Sequence, residues 1–174
     1  TVHGYVHDMG AAMLGGVSGH AGLFANARDV AIIMQMLLNG GHYGGVELLQ
    51  EETIRRFATR HPEDTRRGLG FDMRQLDPSK WINLPAEASE GTFGHTGFTG
   101  TCAWADPEHN LVYVFLSNRT YPSMNNYKLK KLRTRRRIMS TVYEAMEEYN
   151  RYLTSSEMPA GLLRGPDGRL AENQ

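Results

Sequence analysis

Residues 94–101 read GHTGFTGT and run straight into an apolar strand pattern, CAWADPEHNLVYVFLSN. No other stretch constrains the fold as much, because glycine inside a strand weakens it unless another backbone or a ligand must come close. The pattern predicts two strands, about 92–105 and about 111–118, joined through Asp106-Pro107-Glu108-His109-Asn110, a connection of turn formers with hairpin length. In the second strand Val112, Val114 and Leu116 oppose Leu111, Tyr113 and Phe115. Both faces are apolar, which predicts a central strand covered on both sides.

Ahead of this hairpin the glycines of GYVHDMGAAMLGGVSGHAGLF are too many for a continuous helix, so the segment reads as an ordered loop with at most a short helical turn. Asn26 offers an N-cap, with Asp29 three residues on. Val30, Ile33, Met34, Leu37 and Leu38 then recur at helical spacing until Asn39-Gly40-Gly41, predicting a helix over about 27–39. A second helix is expected at about 51–60, with Ile54 and Phe57 inward and Glu51 and Glu52 in its first turn. Leu69, Phe71 and Met73 alternate with Gly70, Asp72 and Arg74, the period of a strand with one wet face, and a long irregular loop follows at about 76–91. The last element is a long helix over about 126–153, with Leu129, Leu132, Ile138, Met139, Val142, Tyr143 and Met146 inward. Residues 154–174, rich in Pro and Gly, read as a flexible tail.

The 174 residues, 40% of them apolar, suit one packed domain. Nineteen Lys and Arg balance nineteen Asp and Glu, so net charge offers no reason to expect nucleic acid or an anionic membrane as partner. No apolar run approaches the length of a membrane span. The cations of KLKKLRTRRR, residues 128–137, read as the solvated side of a helix, with a phosphate-binding patch as the alternative. Cys102 stands alone, so no internal disulfide is available, and its neighbours predict a buried strand thiol.

Chemistry concentrates where the glycines do. Gly94-His95-Thr96-Gly97-Phe98 sets a titratable ring, a hydroxyl and bare backbone side by side. His95 can move a proton or hold an anion, the Thr96 hydroxyl can donate to a carboxylate, Gly97 lets a substrate lie against the strand, and the Phe98 amide can face an oxyanion. The alternative is a merely hydrogen-bonded strand histidine. His20 reads as pocket-shaping or structural. His7-Asp8 reads as a loop hydrogen-bonding pair rather than a metal or base-orienting one, and no metal or cofactor motif is found.

The stretch GHTGFTGTCAWADPEHNLVYVFLSNRTYP, followed by a long helix, resembles the C-terminal part of serine beta-lactamase-related hydrolases, the superfamily of class C beta-lactamases, penicillin-binding proteins and esterases. VHDMGAAMLGGVSGHAGLF and MLLNGG resemble the family segment before that strand, so the likeness spans roughly residues 4–150. It implies an α+β fold: a partial beta-lactamase-like domain over 1–153, with an antiparallel sheet of about three strands, a long C-terminal helix, two shorter helices and the N-terminal half missing. His95-Thr96-Gly97 matches the His-containing variant of the family's Lys-Thr-Gly catalytic motif, with Phe98, Thr99 and His20 as implied substrate contacts.

Two further family motifs, Ser-x-x-Lys and Tyr-x-Asn, do not occur in the chain. The resemblance therefore implies a hydrolase fragment, inactive alone, whose partner is the missing half of its own domain, with dimerisation through an unpaired strand edge as a further expectation. Implied substrates are acylated small molecules or cell-wall peptides, the implied location is the periplasm or cell envelope, and no cofactor is implied. His in place of the motif Lys exchanges a permanent cation for a pH-dependent one, which weighs against beta-lactam hydrolysis and leaves esterase, D-amino-acid peptidase and amidase chemistry open. SNRTYPSMNNYKL resembles members fused behind a glycoside hydrolase domain. Other readings are a non-catalytic module binding cell-wall peptides or sugars, and a structural domain of a larger glycosidase.

Overall fold

The computed structural model describes residues 3–64 and 66–154. Its centre is a four-stranded antiparallel sheet in the order β3 (Asp72–Met73), β4 (Phe93–Thr96), β5 (Cys102–Asp106) and β6 (Leu111–Phe115). Strand alternation sends Cys102 and Trp104 to one face, where they meet Met139 and Tyr143 of the long helix α5 (Thr134–Thr154). Ala105 and Phe93 face the other way, onto Met34 of α2 (Ala27–Leu38). The sheet is thus the middle of three layers, as expected of an α+β domain. Full burial of a side chain such as Met139 stabilises it by roughly 1.5–3 kcal/mol.

The expected helices form for the expected reasons. Asn26 Oδ1 accepts from the Asp29 N–H at 3.0 Å and caps α2, and Gly40 and Gly41, both at positive φ, end it. Gly44 and Gly45, also at positive φ, let β1 (His42–Tyr43) and β2 (Val46–Glu47) close as a small hairpin in what reads from sequence as a plain turn. The glycine-rich N-terminal segment holds one short helix, α1 (Met9–Met13). Helix α3 (Glu51–Phe57) buries Ile54 but leaves Phe57 exposed, against expectation.

Four further expectations need correction. The strand predicted over about 92–105 is two strands, β4 and β5, because the chain reverses at Gly97–Thr101 and pairs Thr96 with Cys102; the sheet accordingly has four strands rather than three. Asp72 is not on a wet face: it is 2% exposed, because Arg66 and Arg67 reach it. Strand β6 has apolar cover on both faces, but it forms an edge of the sheet among the described residues, not the centre. The last helix is interrupted: α4 (Lys128–Lys131) and α5 are separated at Arg133, whose φ of 52° lies in the left-handed region, and Leu132 and Ile138 are exposed. The tail expected from Ser155 onward lies outside the described residues.

Asp106, at the end of β5, is fully buried and ties the layers together. Its carboxylate accepts from the Ser89 hydroxyl at 2.6 Å, the Ser89 amide at 2.9 Å, the Tyr143 phenol at 2.6 Å and His109 Nδ1 at 3.0 Å. Burial pushes this carboxyl up, but the donors from Ser89, Tyr143 and Thr92 together outweigh burial and hold it far below the ordinary range. Burial first, then the carboxylate, drives the Tyr143 phenol well above its own range.

A carboxyl whose folded value lies below its unfolded value of about 3.9 stabilises fully above that value and progressively less as pH falls through the folded value. Asp106→Ala, which leaves several donors unpartnered, is expected to cost about 3 kcal/mol in urea unfolding at pH 7. The gap between wild type and Asp106→Asn should narrow as the pH is lowered from about 5 towards 2.

Candidate active site at the end of strand β4

The glycines of GHTGFTGT are explained first by the chain itself. Gly94 lies opposite Asp72 on one side and Trp104 on the other. A Cβ there would overlap the Ala103 carbonyl oxygen and come within 2.9 Å of Trp104 Cα. Beyond Thr96 the backbone turns: the Gly97 N–H donates to Thr101 O at 2.8 Å and the Gly100 N–H to Gly97 O at 3.0 Å. Gly100 sits at φ 101°, and side chains at Gly97 and Gly100 would collide with the hydroxyls of Thr101 and Ser117. A tight turn needs these residues whether or not a ligand is present.

The turn is braced through its carbonyls. Arg119 Nε donates to Phe98 O at 2.8 Å, the Arg119 amide to Thr99 O at 2.8 Å, and Arg135 Nη1 to Thr101 O at 2.8 Å. The Arg119 guanidinium also lies 4.6 Å from the Phe98 ring centre and 5.5 Å from that of Tyr127. His7 stacks on Phe98 with 5.4 Å between ring centres. Arg135 belongs to the basic stretch, and its half-buried position shows that the stretch is not wholly a solvated face.

On this support the exposed His95 ring projects from the strand. Its Nδ1 lies 2.7 Å from Thr96 O, and a carbonyl can only accept, so Nδ1 carries the proton. In the neutral ring Nε2 then offers its lone pair, to which Arg67 Nη1 donates at 3.4 Å. Arg67 in turn forms an ion pair with buried Asp72, which Arg66 also holds at 2.9 Å. The Thr96 hydroxyl and the Phe98 N–H have no hydrogen-bond partner among the described residues. His95, Thr96, Gly97, Phe98 and Thr99 are therefore gathered on one strand end and its turn.

His20 sits elsewhere. Its Nε2 donates to Asp8 Oδ1 at 2.9 Å and its Nδ1 accepts from the Ser18 hydroxyl at 2.8 Å. Asp8 also accepts from the Ala11 amide at 2.7 Å as the N-cap of α1. That amide, and then His20, hold the Asp8 carboxyl below its ordinary range. Asp8 thus pairs with His20, not with His7, and no hydrogen bond joins His20 to His95 among the described residues. The two segments meet through the His7 ring on Phe98. Cys102 is buried beside this site, and burial pushes its thiol up to about 11. Among the described residues no three His, Cys, Asp or Glu side chains converge as a metal site.

Sequence reasoning missed Arg67, Asp72 and Arg119. RR at 66–67 looks like ordinary loop charge, and Arg119 follows a strand with no local pattern to mark it.

His95-Thr96-Gly97 thus stands at the end of a strand set in an antiparallel sheet between helices, beside a braced turn. The family model described as Beta-lactamase matches residues 2–135; the chain belongs to the beta-lactamase family. A protein of Salmonella agona (strain SL483) named "Putative D-alanyl-D-alanine carboxypeptidase" is 43% identical over 130 residues, covering 74% of this chain and 30% of the relative. Its namesake in Salmonella newport (strain SL254) shows the same identity and coverage. The chain thus spans about 30% of the length of these curated relatives. A solved structure titled "Putative 6-aminohexanoate-dimer hydrolase from Bacillus anthracis" superposes with a TM-score of 0.49 at 24% identity, covering 74% of this chain and 31% of that one.

Arg119→Ala should loosen the turn while leaving the sheet intact. The expected result is at least about tenfold faster amide exchange at Gly97 and Gly100, with Trp104 and Ala105 unchanged.

Proposed function

We propose that the end of β4 and its turn form one wall of an acyl-serine hydrolase site acting on peptides or depsipeptides that end in a D-alanine carboxylate. The observation that carries this is the grouping of polar groups on a rigid support: the exposed His95 ring, whose Nε2 accepts only a long 3.4 Å contact from Arg67, with the Thr96 hydroxyl and the Phe98 N–H, beside a turn whose carbonyls are held by Arg119 and Arg135. Membership of the family and the names of the carboxypeptidase relatives support the chemistry and the substrate class.

In this reading a serine oxygen bonds to the substrate carbonyl carbon, the bond to the leaving amine or alcohol breaks, and water later releases the acyl group. Thr96 donates to the substrate, His95 Nε2 accepts a proton and returns it to the leaving group, Gly97 leaves room for the substrate chain, and the Phe98 amide faces the oxyanion. Thr99 and His20 shape the rim. With neither Ser-x-x-Lys nor Tyr-x-Asn in these 174 residues, the nucleophile is assigned outside them. The 174-residue chain alone is then expected not to acylate. The reading places the protein at the cell envelope.

The same reading assigns a partner to two open surfaces: the outer edge of β6, and an apolar groove of about 540 Å³ along α5 lined by Ile138, Val142, Met146 and Tyr149. The rest of the domain covers both, with a second copy of the chain on the strand edge as the alternative occupant.

Fluorophosphonate labelling with peptide mapping tests the assignment, using the longest natural chain that contains these residues and the 174-residue chain as control. The expected adduct is on a serine outside residues 1–174, formed at least about tenfold more slowly after His95→Ala. No adduct on the folded longer chain overturns the hydrolase reading in favour of a binding module, and an adduct on Ser18 would move the site to the Asp8–His20 pair. Amides of β6 should exchange more slowly in the longer chain than in the shorter one.

A further inference from the structure

We propose that the cleft between Trp81 and the junction of α4 with α5 binds a phosphate group, at a site separate from the end of β4 and independent of the hydrolase reading. The balanced net charge conceals a strong asymmetry. Residues 109–143 contain eight Lys and Arg and no Asp or Glu, so the rest of the chain carries eleven cations against nineteen acids. A field of one sign concentrated on one segment attracts an anionic partner.

The fold wraps part of this charge around a hollow. Helix α4 ends and α5 begins on either side of Arg133, whose left-handed backbone turns the chain. Trp81 and Ile82 of the long loop form one wall of the resulting cleft, and Leu129, Lys130, Arg133 and Arg136 form the other. Arg135 also borders it, but its guanidinium is occupied by the Thr101 carbonyl. The cleft takes about 20 Å³, space for one water-sized group. A ligand therefore sets one charged oxygen into it and keeps its body at the mouth.

The other three cations are not consumed by the fold. The Lys130 and Arg133 side chains have no hydrogen-bond or ion-pair partner among the described residues. Arg136 acts on the charge of Glu87, whose carboxylate already accepts from the Ser140 hydroxyl at 2.8 Å. Arg136 and Arg137 also stand in the first turn of α5, which holds no acid, and a cation there opposes the helix dipole. A local conflict of this kind is explained by a bound anion that offsets it. Phosphate fits better than a carboxylate. Its charge approaches two at neutral pH, and with one oxygen in the cleft the others meet the cations at its mouth, two of which are guanidinium forks.

The test uses the longest natural chain containing these residues. Tripolyphosphate is the soluble probe, citrate the carboxylate control, and vesicles of phosphatidylcholine with about 30% phosphatidylglycerol the lipid probe. Of the two tryptophans, Trp81 is exposed and Trp104 buried, so Trp81 emission reads binding, with titration calorimetry beside it. Tripolyphosphate should bind at least about tenfold more tightly than citrate, and more weakly as salt is raised. Lys130→Gln with Arg133→Gln should weaken it about thirtyfold, whereas Arg28→Gln, on the helix across the sheet, should change it less than about twofold. Arg136→Gln, which relieves the dipole conflict, keeps a second variant folded and should lose about fivefold. Binding of tripolyphosphate but not of the vesicles upholds the site and assigns it to a soluble phosphate. Vesicle binding that tripolyphosphate competes away upholds it and assigns a lipid headgroup. The proposal is overturned if neither probe binds, if citrate binds as tightly, if the vesicles bind but resist tripolyphosphate, or if Arg28→Gln loses as much as the cleft variants.

Discussion

The buried carboxylate of Asp106 is the constraint on which the remaining structure depends. A carboxylate withdrawn from water is tolerated only when its oxygens are matched by donors, and here the donors come from three separate parts of the chain. Ser89 and Thr92 belong to the long loop, His109 to the hairpin turn, and Tyr143 to α5. Satisfying that one charge fixes where the loop ends, how β4 enters the sheet and which face α5 presents. Trp104, Cys102, Tyr113 and Met139 then fill the space between sheet and helix.

The site inherits its rigidity from the same arrangement. With β4 and β5 held in register, the chain reverses at Gly97–Thr101 in little room, and its carbonyls are taken up by two arginines from elements further along, Arg119 and Arg135. The Thr96 hydroxyl and the Phe98 N–H stay without a hydrogen-bond partner among the described residues. Preorganised donors and acceptors of this kind need no reordering when charge develops on a bound group.

A second charge cluster works at the surface on the same principle. Asp72 is buried and fixed, Arg66 and Arg67 converge on it, and the excess positive charge is delivered beside His95. One buried carboxylate thus fixes the position of both arginines.

Much was legible in local patterns. The N-cap at Asn26, the period of α2 and the alternation around Trp104 are all short-range features whose physics depends on neighbours in sequence, and each is found where the residues place it. The reversal inside GHTGFTGT was not legible, since a glycine-rich strand and a tight turn share a composition and only the pairing of Thr96 with Cys102 separates them. The left-handed break at Arg133 escaped notice for a similar reason, because no glycine marks it. Asp72 looked solvent-facing by alternation, and became buried only because two arginines outside its strand could neutralise it. The sequence by itself determined helix α2, the alternation of the strands around Trp104 and the family. Tertiary structure alone decided that Arg67, Arg119 and Arg135 lie against His95 and the turn after it, because long cationic side chains choose partners by distance through space, and those distances exist only once the sheet has closed.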